Sequence, residues 1–273
     1  MMSTANNNQH HSIRVLQISD SHLGPSDQET ILGMDTGQSF RDVLALIQAK
    51  EPPFDLIACT GDISNNGEFK AYQHFLATLQ SRLPGKADFN WLPGNHDIQS
   101  RMNLALGVKS VRKEVRIGKW LFIFLNSVVP GQAYGQLSSK ELEYLEATLQ
   151  ANRESHVLLF VHHHAFSVGS AWIDQQVIRN HERFFHLLGQ HKNVRALVCG
   201  HIHQEYQARH QQIELLATPS TCYQFKPGSN EFALDTIMPG YRWFELQADG
   251  RFQTGVERIP PKNYHLHLDS KGY

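Results

Sequence analysis

The stretch Val194-Arg195-Ala196-Leu197-Val198-Cys199-Gly200-His201-Ile202-His203 joins a short apolar run to two histidines at alternate positions. Six residues rich in Val and Leu, closed by a glycine, have the length and composition of a buried strand. Two histidines directly after such a strand have little packing use, whereas imidazole is the commonest metal ligand. The same arrangement recurs upstream. Ile13–Ile18 runs into Ser19-Asp20-Ser21-His22, and Leu56–Thr60 into Gly61-Asp62. Phe89–Leu92 runs into Pro93-Gly94-Asn95-His96-Asp97, and Val157–Val161 into His162-His163-His164. Apolar runs that each end in Asp, Asn or His belong to a sheet whose loops gather polar side chains at one edge. In α/β sheets ligands bind beyond the carboxyl ends of the strands.

Between these runs, and a sixth at Trp120–Leu125, lie helical patterns near Ser39–Lys50, Glu68–Leu83, Ser139–Ala151 and Asp174–Gln190. Ser138 followed by Glu141 has the spacing of a capping box. Alternation of strand and helix predicts an α/β domain with much parallel pairing. Further on, Ile213–Ala217, Tyr241–Leu246 and Phe252–Arg258 read as strands of a second sheet. No linker, repeat or charge block divides the chain. One domain over residues 13–259 is expected, after a polar, disordered tail at 1–12 and before a C-terminal tail at 260–273.

The composition narrows the partners. Across 273 residues, 25 Lys+Arg face 26 Asp+Glu, a net charge of −1 that offers no footprint for nucleic acid or an anionic membrane. The 3 cysteines, Cys59, Cys199 and Cys222, form no CxxC pair, which points to a reducing compartment. The first dozen residues lack an apolar signal core, and runs such as Leu121–Leu125 are too short to span a bilayer. A cytoplasmic location is expected.

Each cluster has a plain alternative. Asp20-Ser21-His22 alone is more often a turn or helix cap, and Gly61-Asp62 a common turn pair. Gly94-Asn95-His96-Asp97 adds an acid–base pair to a tight turn, and the His162–His164 run does not say which member binds. Of the 17 histidines, His10 and His11 sit in the polar tail, His181, His186 and His191 on a helical pattern, and His265 and His267 near the end. Trp172, Tyr223 and Phe225 fit either core packing or a stacking wall for a base. Together and in order, the strand-end clusters are far more specific than their parts. Asp, His and Asn without Cys suit divalent iron, manganese or zinc.

That ordered set, D-x-H, G-D, G-N-H-D, H and G-H-x-H, resembles the calcineurin-like metallophosphoesterase superfamily. Within it the chain is similar to the bacterial class III cyclic nucleotide phosphodiesterases. Ala171-Trp172-Ile173-Asp174 and Leu216 to Pro227 add to the likeness. The resemblance implies a four-layer αββα sandwich of two mixed sheets flanked by helices. It implies two divalent cations, iron or manganese first, zinc or cobalt as alternatives. Asp20, His22, Asp62 and His203 would hold one, and Asp62, Asn95, His162 and His201 the other. His22, Asp62, Asn95, His96 and His203 would also meet the substrate.

The implied reaction is in-line attack of a metal-bridging hydroxide on 3',5'-cyclic AMP, giving 5'-AMP. Asp62 bridges, and His96 assists the leaving oxygen. The expected partner is this small cyclic nucleotide, taken by a monomer or homodimer. Protein phosphatases of the superfamily carry GDxxDRG, where the second Asp orients the catalytic His and the Arg clamps phosphate. Here Asn65 and Asn66 stand there, so a monoanionic diester is favoured and the partner of His96 is open. The run His162–Phe166 also lacks a proline common in relatives. Alternatives are another diester, such as a 2',3'-cyclic nucleotide or a glycerophosphodiester, and a catalytically silent metal-binding regulator.

Overall fold

Successive strand residues face opposite ways, so a run that is apolar throughout must be covered on both sides. The computed structural model describes residues 12–26, 29–83 and 88–272 and shows how that is met. One sheet holds β1 (Ile13–Ile18), β2 (Leu56–Cys59), β3 (Asp88–Trp91), β10 (Gly240–Leu246) and β11 (Phe252–Arg258), ordered β11-β10-β1-β2-β3. The other holds β4 (Glu114–Ile117), β5 (Trp120–Leu125), β6 (His156–Val161), β7 (Val194–Cys199), β8 (Tyr206–His210) and β9 (Ile213–Ala217), ordered β8-β9-β7-β6-β5-β4. Pairing is parallel along β1-β2-β3 and β9-β7-β6-β5, and antiparallel toward the edges.

Three hydrophobic clusters mark the interfaces of four layers. Val15, Ala58, Phe122, Leu158, Phe160, Val198 and Phe244 fill the space between the sheets. The opposite face of the first sheet, with Leu16, Ile18 and Ile57, packs on α1 (Thr36–Lys50), α2 (Phe69–Arg82) and α3 (Gln99–Leu106). The opposite face of the second, with Leu159, Val161 and Leu197, packs on α4 (Ser139–Ala151), α5 (Ala171–Asp174) and α6 (His181–Gly189). The fold is a mixed α/β sandwich of two mixed sheets between helices.

Differences from the expected elements have local causes. The helix expected over Asp174–Gln190 is two, α5 and α6. Asp174 spends its carboxylate on Ser167 Oγ, Val168 N and Gly169 N, tying down the preceding loop. The intervening Ile178 N donates to His164 O. Ser138 does cap α4, accepting from Glu141 N at 3.1 Å. The Glu141 carboxylate does not return the bond; it pairs with Lys113 and accepts from Asn126 N. Short α3, with two buried side chains, and the largely polar edge strands β4 and β8 carry little periodic signal.

The expected tail at 1–12 lies outside the described residues except for Ser12. The C-terminal stretch is packed: His267 N donates to Leu32 O, Tyr264 Oη donates to Asp42 Oδ2, and Leu266 lies against the helix-covered core. No helix among the described residues is long and apolar enough to cross a membrane.

Candidate metal centre

Main-chain bonding between β1 and β2 continues past both strand ends. Thr60 N donates to Ile18 O, Asp20 N to Gly61 O and His22 N to Asp62 O at 2.9–3.0 Å. This ladder holds Asp20, His22 and Asp62 side by side. Their φ values are +54°, +44° and +49°, and His201 and His203 stand at +65° and +48°. Positive φ is rare for residues with a side chain and clusters where surrounding structure enforces it for function. Two glycines permit the close approach. A Cβ on Gly94 would lie 2.1 Å from Asp62 Oδ1, and one on Gly200 would lie 2.0 Å from Ser19 Oγ.

The expected ligand residues meet in one cluster, all of them buried except half-buried Asn95. Around Asp20, both carboxylate oxygens accept from His201 N at 3.1 Å, and Oδ1 lies 3.5 Å from His203 Nε2. His22 Nε2 is 3.2 Å from His203 Nε2 and 3.7 Å from Asp62 Oδ2. On the other side of Asp62, Oδ2 lies 3.2 Å from His162 Nε2, which is 3.1 Å from Asn95 Oδ1. Asp20, His22 and His203 bring donor atoms within 4.8 Å of one another; so do Asp20, Asp62 and His162, and also His162, His163 and His201.

Backbone carbonyls set the tautomers. His162 Nδ1 donates to Thr60 O at 2.7 Å, and His203 Nδ1 to Tyr223 O at 2.9 Å, so in each neutral ring the Nε2 lone pair faces the cluster. His162 Nε2 then sets its lone pair against two oxygens, Asp62 Oδ2 and Asn95 Oδ1, an arrangement that calls for a cation or a shared proton. Burial disfavours charge on His162, yet the Asp62 and Asp20 carboxylates override it and push the ring up to about 9. Burial, and then the neighbouring His163, His162 and His164, hold His201 well below the ordinary imidazole value. His201 Nε2 is buried with no hydrogen-bond partner. An orphaned buried nitrogen grouped with the His162 and His163 rings fits a divalent ion of oxygen- and nitrogen-binding type.

His96 stands at the rim, half-buried, with its ring centroid 4.8 Å from that of His22. Its N donates to Asp62 Oδ1 at 2.8 Å, and its Nδ1 to Asn65 O at 2.8 Å. The orienting partner left open by the sequence is thus a main-chain carbonyl, at the position where phosphatases carry an Asp. Asp97 braces the same loop, accepting from Gly94 N, Ile63 N and Ser64 N. Burial first, then the Asp62 charge, raise its carboxyl to about 6.

The His162–His164 run does not say in sequence which member binds; here the His163 donor atom joins the His162–His201 group while Nδ1 contacts Ser127 Oγ at 2.7 Å. Carbonyl partners carry no side-chain signature, so Thr60, Asn65 and Tyr223 were not findable in that role. Tyr223 and Phe225 are buried and back His203, the Phe225 ring stacking on it at 4.2 Å, while Trp172 packs edge-on against Phe225. These aromatics act as core behind the site. His181 turns its Nδ1 to Ile178 O, and none of His181, His186, His191, His265 or His267 falls in a candidate metal group.

Known proteins share both sequence and fold. A family profile described as calcineurin-like phosphoesterase matches residues 13–205. A 3',5'-cyclic adenosine monophosphate phosphodiesterase of Escherichia coli K12 is 43% identical over 265 residues, covering 96% of this chain and 95% of its own. One from Vibrio vulnificus is 40% identical over 268 residues, covering 96% of each. A 3',5'-cyclic-nucleotide phosphodiesterase of Nostoc is 38% identical, with 91% and 93% covered. Among solved structures, a dimetal phosphatase from Danio rerio superposes with a TM-score of 0.59 at 17% identity, covering 91% of this chain and 99% of that one. It shares the fold.

Proposed function

The chain belongs to the calcineurin-like phosphoesterase family, and from that premise we propose that it is a metal-dependent phosphodiesterase converting 3',5'-cyclic AMP to 5'-AMP. Relatives about 40% identical along their whole length and named for that activity support the substrate. The observation that carries the chemistry is the bond from the main-chain His96 N to Asp62 Oδ1, which fixes the loop that bears the His96 ring beside the carboxylate that would lie between the two cations.

Asp20, His22, Asp62 and His203 would hold one cation and Asp62, Asn95, His162 and His201 the other, iron or manganese in our reading. Two such cations supply Lewis-acid polarisation of the phosphate and an activated water. Asn95 contributes an amide oxygen and adds no negative charge. Two carboxylates therefore leave the loaded site positive, which favours a phosphate anion. The Thr60 and Tyr223 carbonyls fix which nitrogen of His162 and His203 faces the centre.

His96 serves the leaving group. Its Nδ1–H is committed to Asn65 O, so Nε2 is the atom facing the departing 3'-oxygen, and it is the imidazolium form of the ring that would pass the Nε2 proton and leave as the neutral Nδ1–H tautomer. An alkoxide leaves poorly, and such help is typically worth 10²–10⁴-fold. With Asn65 and Asn66 in place of Asp and Arg, nothing at that position clamps a dianionic monoester, which is consistent with a diester substrate. Three buried free thiols, Cys59, Cys199 and Cys222, accord with a reducing, cytoplasmic setting.

The test is kcat/KM of manganese- or iron-reconstituted protein on 3',5'-cyclic AMP, 2',3'-cyclic AMP and a bis-aryl phosphate, with product identified by chromatography. Cyclic AMP should be the preferred substrate and 5'-AMP the product. A preference for 2',3'-cyclic AMP or the aryl diester would overturn the reading in favour of another diester.

A further inference from the structure

Beside His96 a cleft of about 480 Å3 opens to solvent, walled by the loops that follow β2, β3 and β5. That volume lies within the roughly 300–1,000 Å3 usual for small-molecule sites. Its inner end is formed by Asn95 and His96. Its outer walls carry two kinds of group. Ile98, 39% exposed, faces the cleft with Val128 and Pro130 and offers apolar surface. Gln99 and Asn126 offer carboxamides, joined by a bond from Asn126 Nδ2 to Gln99 Oε1 at 3.1 Å. Asn126 is held further because its Oδ1 accepts from Val128 N at 2.9 Å. These bonds leave Gln99 with both amide N–H donors and a further acceptor site for a ligand.

Charge is absent from these walls. None of the described lining residues is Lys, Arg or Glu. The single carboxylate, Asp97, has both oxygens committed to backbone N–H groups of Ile63, Ser64 and Gly94. An apolar slot with a fixed carboxamide and no fixed charge suits a flat heterocycle that presents one donor beside one acceptor. Adenine does so at N6 and N7, which Asn or Gln meets bidentately, whereas guanine at O6 and N7 presents two acceptors and is met by Arg or Lys.

We propose that this cleft receives the nucleoside of the substrate and that Gln99, braced by Asn126, selects adenine over guanine. The inference rests on the proposed cyclic nucleotide activity and adds a specificity residue to it. The phosphate lies against Asn95 and His96, the ring system stacks on Ile98, and its polar edge meets Gln99.

The experiment compares the unsubstituted enzyme with Gln99→Ala and Gln99→Arg on cyclic AMP, cyclic GMP and a bis-aryl phosphate. Gln99 is exposed, so both variants should fold, and thermal melting checks this. Gln99→Ala should lose on the order of tenfold more kcat/KM on cyclic AMP than on the aryl diester, chiefly through KM. Gln99→Arg should shift the AMP/GMP ratio toward GMP by a similar factor. Equal changes on all three substrates, or an unaltered ratio, would overturn the assignment of Gln99. If the unsubstituted enzyme hydrolyses the aryl diester but neither cyclic nucleotide, the proposed function itself falls, and the cleft's role with it.

Discussion

His22 Nε2 and His203 Nε2 face one another at 3.2 Å inside a fully buried cluster. Two neutral imidazoles placed this way need a proton between them or a cation beside them. His203 has already committed its Nδ1 to Tyr223 O, and Asp20 Oδ1 and Asp62 Oδ2 complete the surround. Replacing His203 by Ala should therefore lower bound metal toward one ion per chain. Turnover should fall by more than the 10–100-fold typical of losing an outer partner of a metal ligand. Elemental analysis after desalting reads the first effect, and unchanged metal content would contradict it.

His96→Ala should leave metal content intact and lower kcat on cyclic AMP by roughly 10²–10⁴-fold. An aryl diester, whose leaving group needs no proton, should lose much less. Equal losses on both substrates would mean that His96 places the phosphate and does not protonate the leaving oxygen.

Gly94→Ala tests how closely the loops after β2 and β3 must approach. The new Cβ would meet Asp62 Oδ1 at 2.1 Å and Asp62 N at 2.5 Å. A backbone shift there displaces the Asp62 carboxylate, which stands between the His22 and His162 rings. The expected cost is about 1–3 kcal/mol of stability, with metal retention and activity reduced together. Denaturant unfolding of the metal-free protein separates the steric part from the metal part.

Asp174 predicts an acid-sensitive contribution to stability. Burial opposes ionisation, but the His164 ring, whose Nε2 lies 3.7 Å away, and hydrogen bonds from Val168 N and Ser167 Oγ prevail and bring its carboxyl down from 3.8 to about 2. A carboxylate whose pKa falls on folding stabilises above its unfolded value, and that stability is lost as pH drops through the folded value. Asp174→Asn should therefore melt below the unsubstituted protein at pH 6, and the gap should close between about pH 4 and pH 2. A gap independent of pH would place the effect in packing and not in ionisation.

Much of the molecule is legible from its apolar runs. β1, β5 and β7 span the residues that the runs predict, because strands buried on both faces cannot tolerate polar interruptions. The polar clusters after them were visible for the complementary reason, that such residues cannot continue a buried strand. Main-chain acceptors were hidden: Asn65 O orients His96, yet nothing about an asparagine announces its carbonyl. Long-range side-chain ties were hidden too. Asp174 reads as the start of one long helix, whereas it ends α5 and its carboxylate holds residues 167–169. The Gln99 cleft is assembled from three loops far apart in sequence and has no motif.

In the proposed function, the Asp20–His203 and Asp62–His201 groups each hold a cation needed for diester hydrolysis. The most direct measurement is a manganese titration of chelator-stripped protein, following cyclic AMP turnover against bound metal. Activity should be absent without metal and should saturate near two ions per chain. Full turnover in stripped protein, or saturation at a single ion, would contradict it.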